Sequence, residues 1–154
     1  PSVEEARQVF EVRAMLESAL VRQLCSRITD HQIAVLRVHL RDESAAVART
    51  HVAGRTRLLA DFHVVLARML GNEVLARLLE DLLSRSSLIA LMYQSAQSAE
   101  HSLEEHVQIV DALEKRDPRL AAKLMTHHLE AMEQNLRLDP RAVDLSAALQ
   151  PRNT

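Results

Sequence analysis

The sequence predicts an all-α domain, and three observations carry that prediction. Leu and Ala dominate, while the 154 residues hold only two Gly, four Pro and no Trp, a composition poor in helix breakers. Apolar residues recur at three- and four-residue spacing, with no strand-like alternation. Helix-start signatures divide the chain: Ser2 with Glu5, Thr29 with Gln32, Ser102 with Glu105, and Asp117 before Pro118. The length suffices for one domain with a real core. There is no internal repeat, no low-complexity segment and no sign of a second domain within it.

In chain order, helix 1 is predicted from Ser2 to about Ile28. Its apolar face carries Ala6, Phe10, Leu20, Leu24 and Ile28. Arg13 and Glu17 fall on the same face, four residues apart, where they can pair. One reading is a buried structural ion pair. The other is an arginine that looks into a cavity and holds an anion through its bidentate fork. Spacing alone leans to the first. Helix 2 starts at Thr29 with the stripe Ile33, Leu36 and Leu40; Asp42-Glu43-Ser44 is the first candidate for an interruption, the alternative being a helix that continues through it. Gly54 is a weak point before the next helix. His31, His39 and His51 have polar neighbours and read as surface residues.

The run Leu59 to Leu70 places His63 among Leu59, Leu66 and Leu70 on one helical stripe. Gly71-Asn72 then reads as a helix stop followed by the cap of helix 4. Helix 4 runs to about Gln94 with the stripe Leu75, Leu78, Leu82 and Ile89. Ser86 and Tyr93 set hydroxyls among these leucines, and a buried hydroxyl needs a partner. Ser86 can satisfy itself on its own helix, so Tyr93 is the better ligand candidate. Residues 94–101 read as a loop and Ser102 as the cap of helix 5, which runs to about Lys115. Leu103, Val110 and Leu113 surround His106 there. Helix 6 follows Asp117-Pro118 to about Leu136, with His128 central among Ala121, Leu124, Met125 and Met132. Its neighbour His127 is turned about 100° away. From Asp139 the tail holds a weak apolar run, Val143 to Leu149, expected as a short docking helix or a loose end.

The formal net charge of −2 and the scattered Lys and Arg leave no basic stripe for nucleic acid. A single Cys excludes an internal disulfide and fits a reducing, cytoplasmic setting. No stretch has the length of a membrane span and no signal peptide is visible. The chain opens on Pro1, so a fragment of a longer protein is expected.

One histidine on an apolar stripe is usually a satisfied core residue. Three, on three helices and each central to its stripe, suggest a common pocket. Neutral imidazole is the commonest metal ligand, and three with an open fourth position suit zinc, nickel or a similar divalent ion. Spacing does not prove that His63, His106 and His128 converge. A stand-alone three-His metal-dependent enzyme is the alternative, but no general base shares these faces. Asp61 lies on the opposite side of its helix from His63. There is no HExxH, no Gly-rich phosphate loop, no nucleophile elbow and no Glu-x-x-His pair.

The segments FEVRAMLESAL, DFHVVLARMLGN and EEHVQIVDALEKRDPRLAAKLMTHHL, in this order and spacing, resemble the FadR-type C-terminal effector domain of GntR-family transcription regulators. The resemblance covers Val3 to Leu136. It implies an antiparallel bundle of six or seven helices around a ligand pocket, and a role in regulation rather than catalysis. It also implies a homodimer, with a winged helix-turn-helix domain, absent from this chain, to contact DNA. The implied effector is a small metabolite, often a carboxylate, bound near Arg13, His63, His106 and His128, to which the reading of helix 4 adds Tyr93. Many members hold a divalent metal with one Asp and three His. By motif match the three are His63, His106 and His128. The position of the Asp, four residues before His63, is Leu59. One anionic ligand is therefore missing, which opens a second possibility: a histidine-lined pocket that binds its ligand without metal.

Overall fold

The computed structural model describes residues 2–49, 52–93 and 96–138. These form six helices: α1 (Val3–Cys25), α2 (Asp30–Val47), α3 (Val52–Leu70), α4 (Glu73–Tyr93), α5 (Ala96–Glu114) and α6 (Pro118–Leu138). No strand occurs among the described residues.

The ends follow the local chemistry. Ser2 Oγ accepts from Glu5 N at 3.1 Å. Thr29 and Gln32 form a complete capping box, with Gln32 N donating to Thr29 Oγ1 at 3.1 Å and Thr29 N to Gln32 Oε1 at 3.0 Å, satisfying two orphan donors at once. Gly71 has φ of 81°, a left-handed conformation that glycine adopts without a Cβ clash, and Asn72 Oδ1 then caps α4 by accepting from Leu75 N at 3.0 Å. Asp117 caps α6 in the same way, accepting from Leu120 N at 3.0 Å. Before it, Asp117 N reaches Ala112 O and Arg116 N reaches Leu113 O, each at 3.1 Å, closing α5 in a Schellman motif.

Two boundaries differ from expectation. Asp42-Glu43-Ser44 does not interrupt α2, because Glu43 continues the stripe of Leu36 and Leu40 and is itself fully buried. Residues 96–101 are not a loop but the first turns of α5. Ser102 therefore lies inside the helix, buried, and does not cap it. The segment holds good helix formers (Ala, Gln, Glu) and no Gly or Pro, and buried Ala99 adds one more position to the stripe of Ser102, His106 and Ile109. The tail from Asp139, with Val143 to Leu149, and His51 lie outside the described residues.

The helices enclose one core. Helix α1 packs most extensively along α6, α3 along α4, and α5 bridges α6 and α2. Leu20, Leu24, Leu36, Phe62, Leu66, Leu79, Ile109, Leu113, Met125 and Leu129 are buried at its centre, each contributing about 1.5–3 kcal/mol of apolar burial. One region of this core is polar, and it lies where the three stripe histidines meet.

Candidate functional site

Each histidine reaches the site because it sits on the inward stripe of its own helix. His63 on α3, His106 on α5 and His128 on α6 are all buried. Their Nε2 atoms converge: His106 to His128 at 3.2 Å and His128 to His63 at 3.4 Å. The expectation that the three share one pocket follows from the helix periodicity.

Every ring is held from behind by a glutamate. His63 Nδ1 donates to Glu17 Oε2 at 2.5 Å. His106 Nδ1 lies 3.0 and 3.1 Å from the two oxygens of Glu43, and His128 Nδ1 lies 2.6 Å from Glu105 Oε2. Phe62 stacks on His106 with ring centroids 4.0 Å apart, which fixes that ring from one face. The surface reading of His39 needs correction. Its Nε2 is 3.1 Å from Glu43 Oε1 and 3.2 Å from Leu58 O, so the ring backs Glu43 and is half-buried. His31 is exposed, as the sequence indicated.

Arg13 is fully buried. Its Nε donates to Glu17 Oε1 at 2.7 Å and its Nη1 to Ser86 Oγ at 3.4 Å. Ser86 also donates to carbonyls of its own helix, at 3.1 Å to Leu82 O and 3.2 Å to Leu83 O. Arg13 Nη2 has no partner. The structural reading of Arg13 is met by its ion pair with Glu17, and Nη2 is left as a buried donor on the cavity side. A buried guanidinium donor without an acceptor costs on the order of 1–3 kcal/mol, which a bound anion would recover.

Arg13, the three histidines, Leu59, Thr56, Ser86, Ser87, Ser102 and Met132 line a small cavity of about 20 Å³, room for an ion or a water molecule. Leu59 faces it from the turn before His63, and exposed Asp61 does not replace the missing carboxylate there. The side chain of Tyr93 lies outside the described residues.

Electrostatics set the protonation pattern. Burial opposes the charge on Glu17, but Arg13 and His63 outweigh it and hold the carboxyl well below its ordinary range. Burial likewise opposes ionisation of Glu43, and His106 and His39 more than offset it. Burial pushes the His63 imidazole down despite Glu17. It brings His128 down to about 4 despite the hydrogen bond to Glu105. For the coupled pair of Glu17 and His63, the state that fits both directions is an ionised carboxylate beside a neutral ring, because Arg13 already balances Glu17.

With each Nδ1 turned to a carboxylate, the three Nε2 atoms face one another. The donors fit a divalent ion. Ligands at about 2.0–2.1 Å around a tetrahedral ion stand about 3.3–3.4 Å apart, close to the two separations above. The three donor atoms all lie within 4.8 Å of one another.

The sequence reading missed Glu43, Glu105 and His39. Glu43 had a signal, its i+7 relation to Leu36 and i+3 relation to Leu40 on the buried stripe. Glu105 had none, because its partner is on another helix.

The FCD domain model matches residues 8–131, and the chain belongs to this family of GntR-type regulator domains. It is 30% identical over 125 residues to the HTH-type transcriptional repressor NanR of Salmonella newport, covering 79% of this chain and 47% of that protein. The NanR of Salmonella typhimurium matches to the same extent. A GntR structure from Streptococcus agalactiae superposes with a TM-score of 0.69 at 27% identity, covering 84% of this chain and 58% of that one. The chain spans about half the length of the curated relatives it matches. Among the described residues, no helix is long and apolar enough to cross a membrane.

Proposed function

We infer that this domain binds a small anionic metabolite in the histidine-lined cavity and passes its occupancy to an attached DNA-binding domain. The observation that carries the reading is the orphaned Arg13 Nη2, a buried cationic donor on the wall of a cavity. A carboxylate satisfies it with two parallel hydrogen bonds or with one shared oxygen. Ser86, Ser102 and Thr56 supply hydroxyls for the polar remainder of such a ligand. Leu59, Leu83 and Met132 exclude water from its apolar part.

His63, His106 and His128 would hold a divalent ion, zinc or nickel, through Nε2. Such an ion would supply a Lewis-acidic anchor for a ligand oxygen. Without Asp at position 59 the protein provides three neutral donors, so the anionic fourth ligand must come from the effector or from water. A free-standing enzyme is disfavoured by the family to which the chain belongs.

The regulatory step follows from linkage. A ligand that bridges Arg13 on α1 and the histidines of α3, α5 and α6 binds best to the arrangement that brings these four helices together, and so favours it. The homologous NanR proteins are named as repressors, which makes relief of DNA binding the natural consequence here. The test is thermal-shift and calorimetric screening of small mono-, di- and hydroxycarboxylates against the wild type and Arg13→Ala. At least one acid is expected to bind the wild type and to lose 100-fold or more in affinity in the variant, since a charge-assisted bidentate pair contributes about 3 kcal/mol. Equal binding by both proteins would remove Arg13 from the site.

A further inference from the structure

The cavity wall contains three imidazoles, and behind it lies a layer that no ligand would touch. We propose that Glu17, Glu43 and Glu105 are positioning residues that fix each imidazole as its Nδ1–H tautomer, so that all three Nε2 atoms are presented as bases to one point. The inference extends the reading of these histidines as ligands but stands on its own geometry.

The glutamates come from α1, α2 and α5, and their partners from α3, α5 and α6. Each pairing is therefore a tertiary contact between helices, not a local accident of one. Each carboxylate takes a different ring: Glu17 takes His63, Glu43 takes His106 and Glu105 takes His128. An ionised carboxylate only accepts hydrogen bonds, so the ring nitrogen facing it must carry the proton. The opposite nitrogen of a neutral ring is then unprotonated. Repeating this three times brings three Nε2 atoms together, with His106 to His128 at 3.2 Å and His128 to His63 at 3.4 Å; with every proton on Nδ1, these short separations call for a cation between the rings.

Glu17 and Glu43 are themselves anchored. The second oxygen of Glu17 accepts from Arg13 Nε at 2.7 Å. Glu43 Oε1 is held by His39 at 3.1 Å. Glu17 thereby joins the anion-holding guanidinium to the His63 ring, and Glu43 makes α2 part of a site whose cavity it does not line. The layer also settles the charge left open by Leu59. Three carboxylates against one guanidinium leave the centre net negative, so a cation at the meeting point of the Nε2 atoms is favoured without a fourth acidic residue in contact with it. Carboxylates in this outer position commonly raise metal affinity 10- to 100-fold.

The test reads the tautomers directly. Long-range ¹H–¹⁵N spectra of the metal-free chain at neutral pH are expected to show His63, His106 and His128 as Nδ1–H. Glu43→Gln keeps an acceptor and loses the charge. His106 should remain Nδ1–H, while cobalt(II) affinity falls about 10-fold. Glu43→Met removes the acceptor at similar volume. His106 alone should then shift toward Nε2–H, and cobalt(II) affinity should fall towards 100-fold. If Glu43→Met does not fold, the wild-type spectra and Glu43→Gln decide. An Nε2–H tautomer at any of the three rings in the wild type overturns the proposal, as does a folded Glu43→Met protein with an unchanged His106 spectrum. A wild type with three Nδ1–H rings that takes up no cobalt(II) upholds the positioning role and overturns the metal reading instead.

Discussion

At the scale of single residues, the site depends on polar groups that burial would expel unless each had a partner. Leu59 is the residue whose replacement is most informative. Leu59→Asp places a hard oxygen ligand one helical turn from His63 and should tighten zinc binding at least 10-fold, whereas His106→Ala should weaken it by a similar factor or more. Zinc titration by calorimetry, with a competing chelator, measures both. Protonation provides a second check. His128 is held at about 4, against an ordinary 6.5, chiefly by burial. The folded chain therefore binds fewer protons than the unfolded chain between these values. Its contribution to stability is complete above pH 6.5 and is lost as pH falls towards 4. The loss is roughly 3 kcal/mol for this ring. Denaturant unfolding of the metal-free chain at pH 7 and pH 4.5 should show the drop, and equal midpoints would mean that the ring is solvated or already charged at pH 7.

At the scale of the helices, most of the architecture was legible in the sequence, because stripes and caps are local. The Thr29 box, the Gly71 stop, and the Asn72 and Asp117 caps lie where the residues placed them. The misread boundaries share one cause. Asp42-Glu43-Ser44 looked like a break because charge was read as exposure, and 96–101 looked like a loop because small polar residues were. In both, a tertiary partner decided: His106 and His39 make a buried carboxylate tolerable in α2, and the stripe through Ala99 and Ser102 makes α5 helical from Ala96. For the site, the inward placing of the histidines and of Arg13 was legible from periodicity, and that of Glu43 was there to be read on the stripe of Leu36 and Leu40; Glu105 was not, since pairing across helices leaves no pattern within either one. The Schellman end of α5 offers a prediction of its own. Arg116 adopts φ of 55° there, where a non-glycine residue is strained by about 1–2 kcal/mol. Its side chain recovers part of this through bonds at 3.3 Å to Leu113 O and 3.4 Å to Asp30. Arg116→Gly should still raise stability by about 0.5 kcal/mol, read as a higher denaturation midpoint. A clear destabilisation would show that these bonds outweigh the backbone strain.

At the scale of the whole molecule, the bundle exposes several large apolar side chains on α1 and α4. Met15 is 70% exposed on α1, and Val74 and Leu78 are 72% and 50% exposed on α4. If a second copy covers them, burial on more than one side of α1 follows. Sedimentation equilibrium at micromolar concentration should give a dimer, and Met15→Glu with Leu78→Glu should give a monomer that keeps its helical circular dichroism. A wild-type monomer would remove those residues from a dimer interface. The account rests most of all on the pocket where α1, α3, α5 and α6 meet. The most direct test is anomalous diffraction at the zinc edge from crystals of this chain grown with zinc. A single peak is expected about 2.0–2.1 Å from Nε2 of His63, His106 and His128, with its open side facing Arg13 Nη2 across the cavity. Ordered imidazoles with no peak among them, or with Nδ1 turned inward, would contradict it.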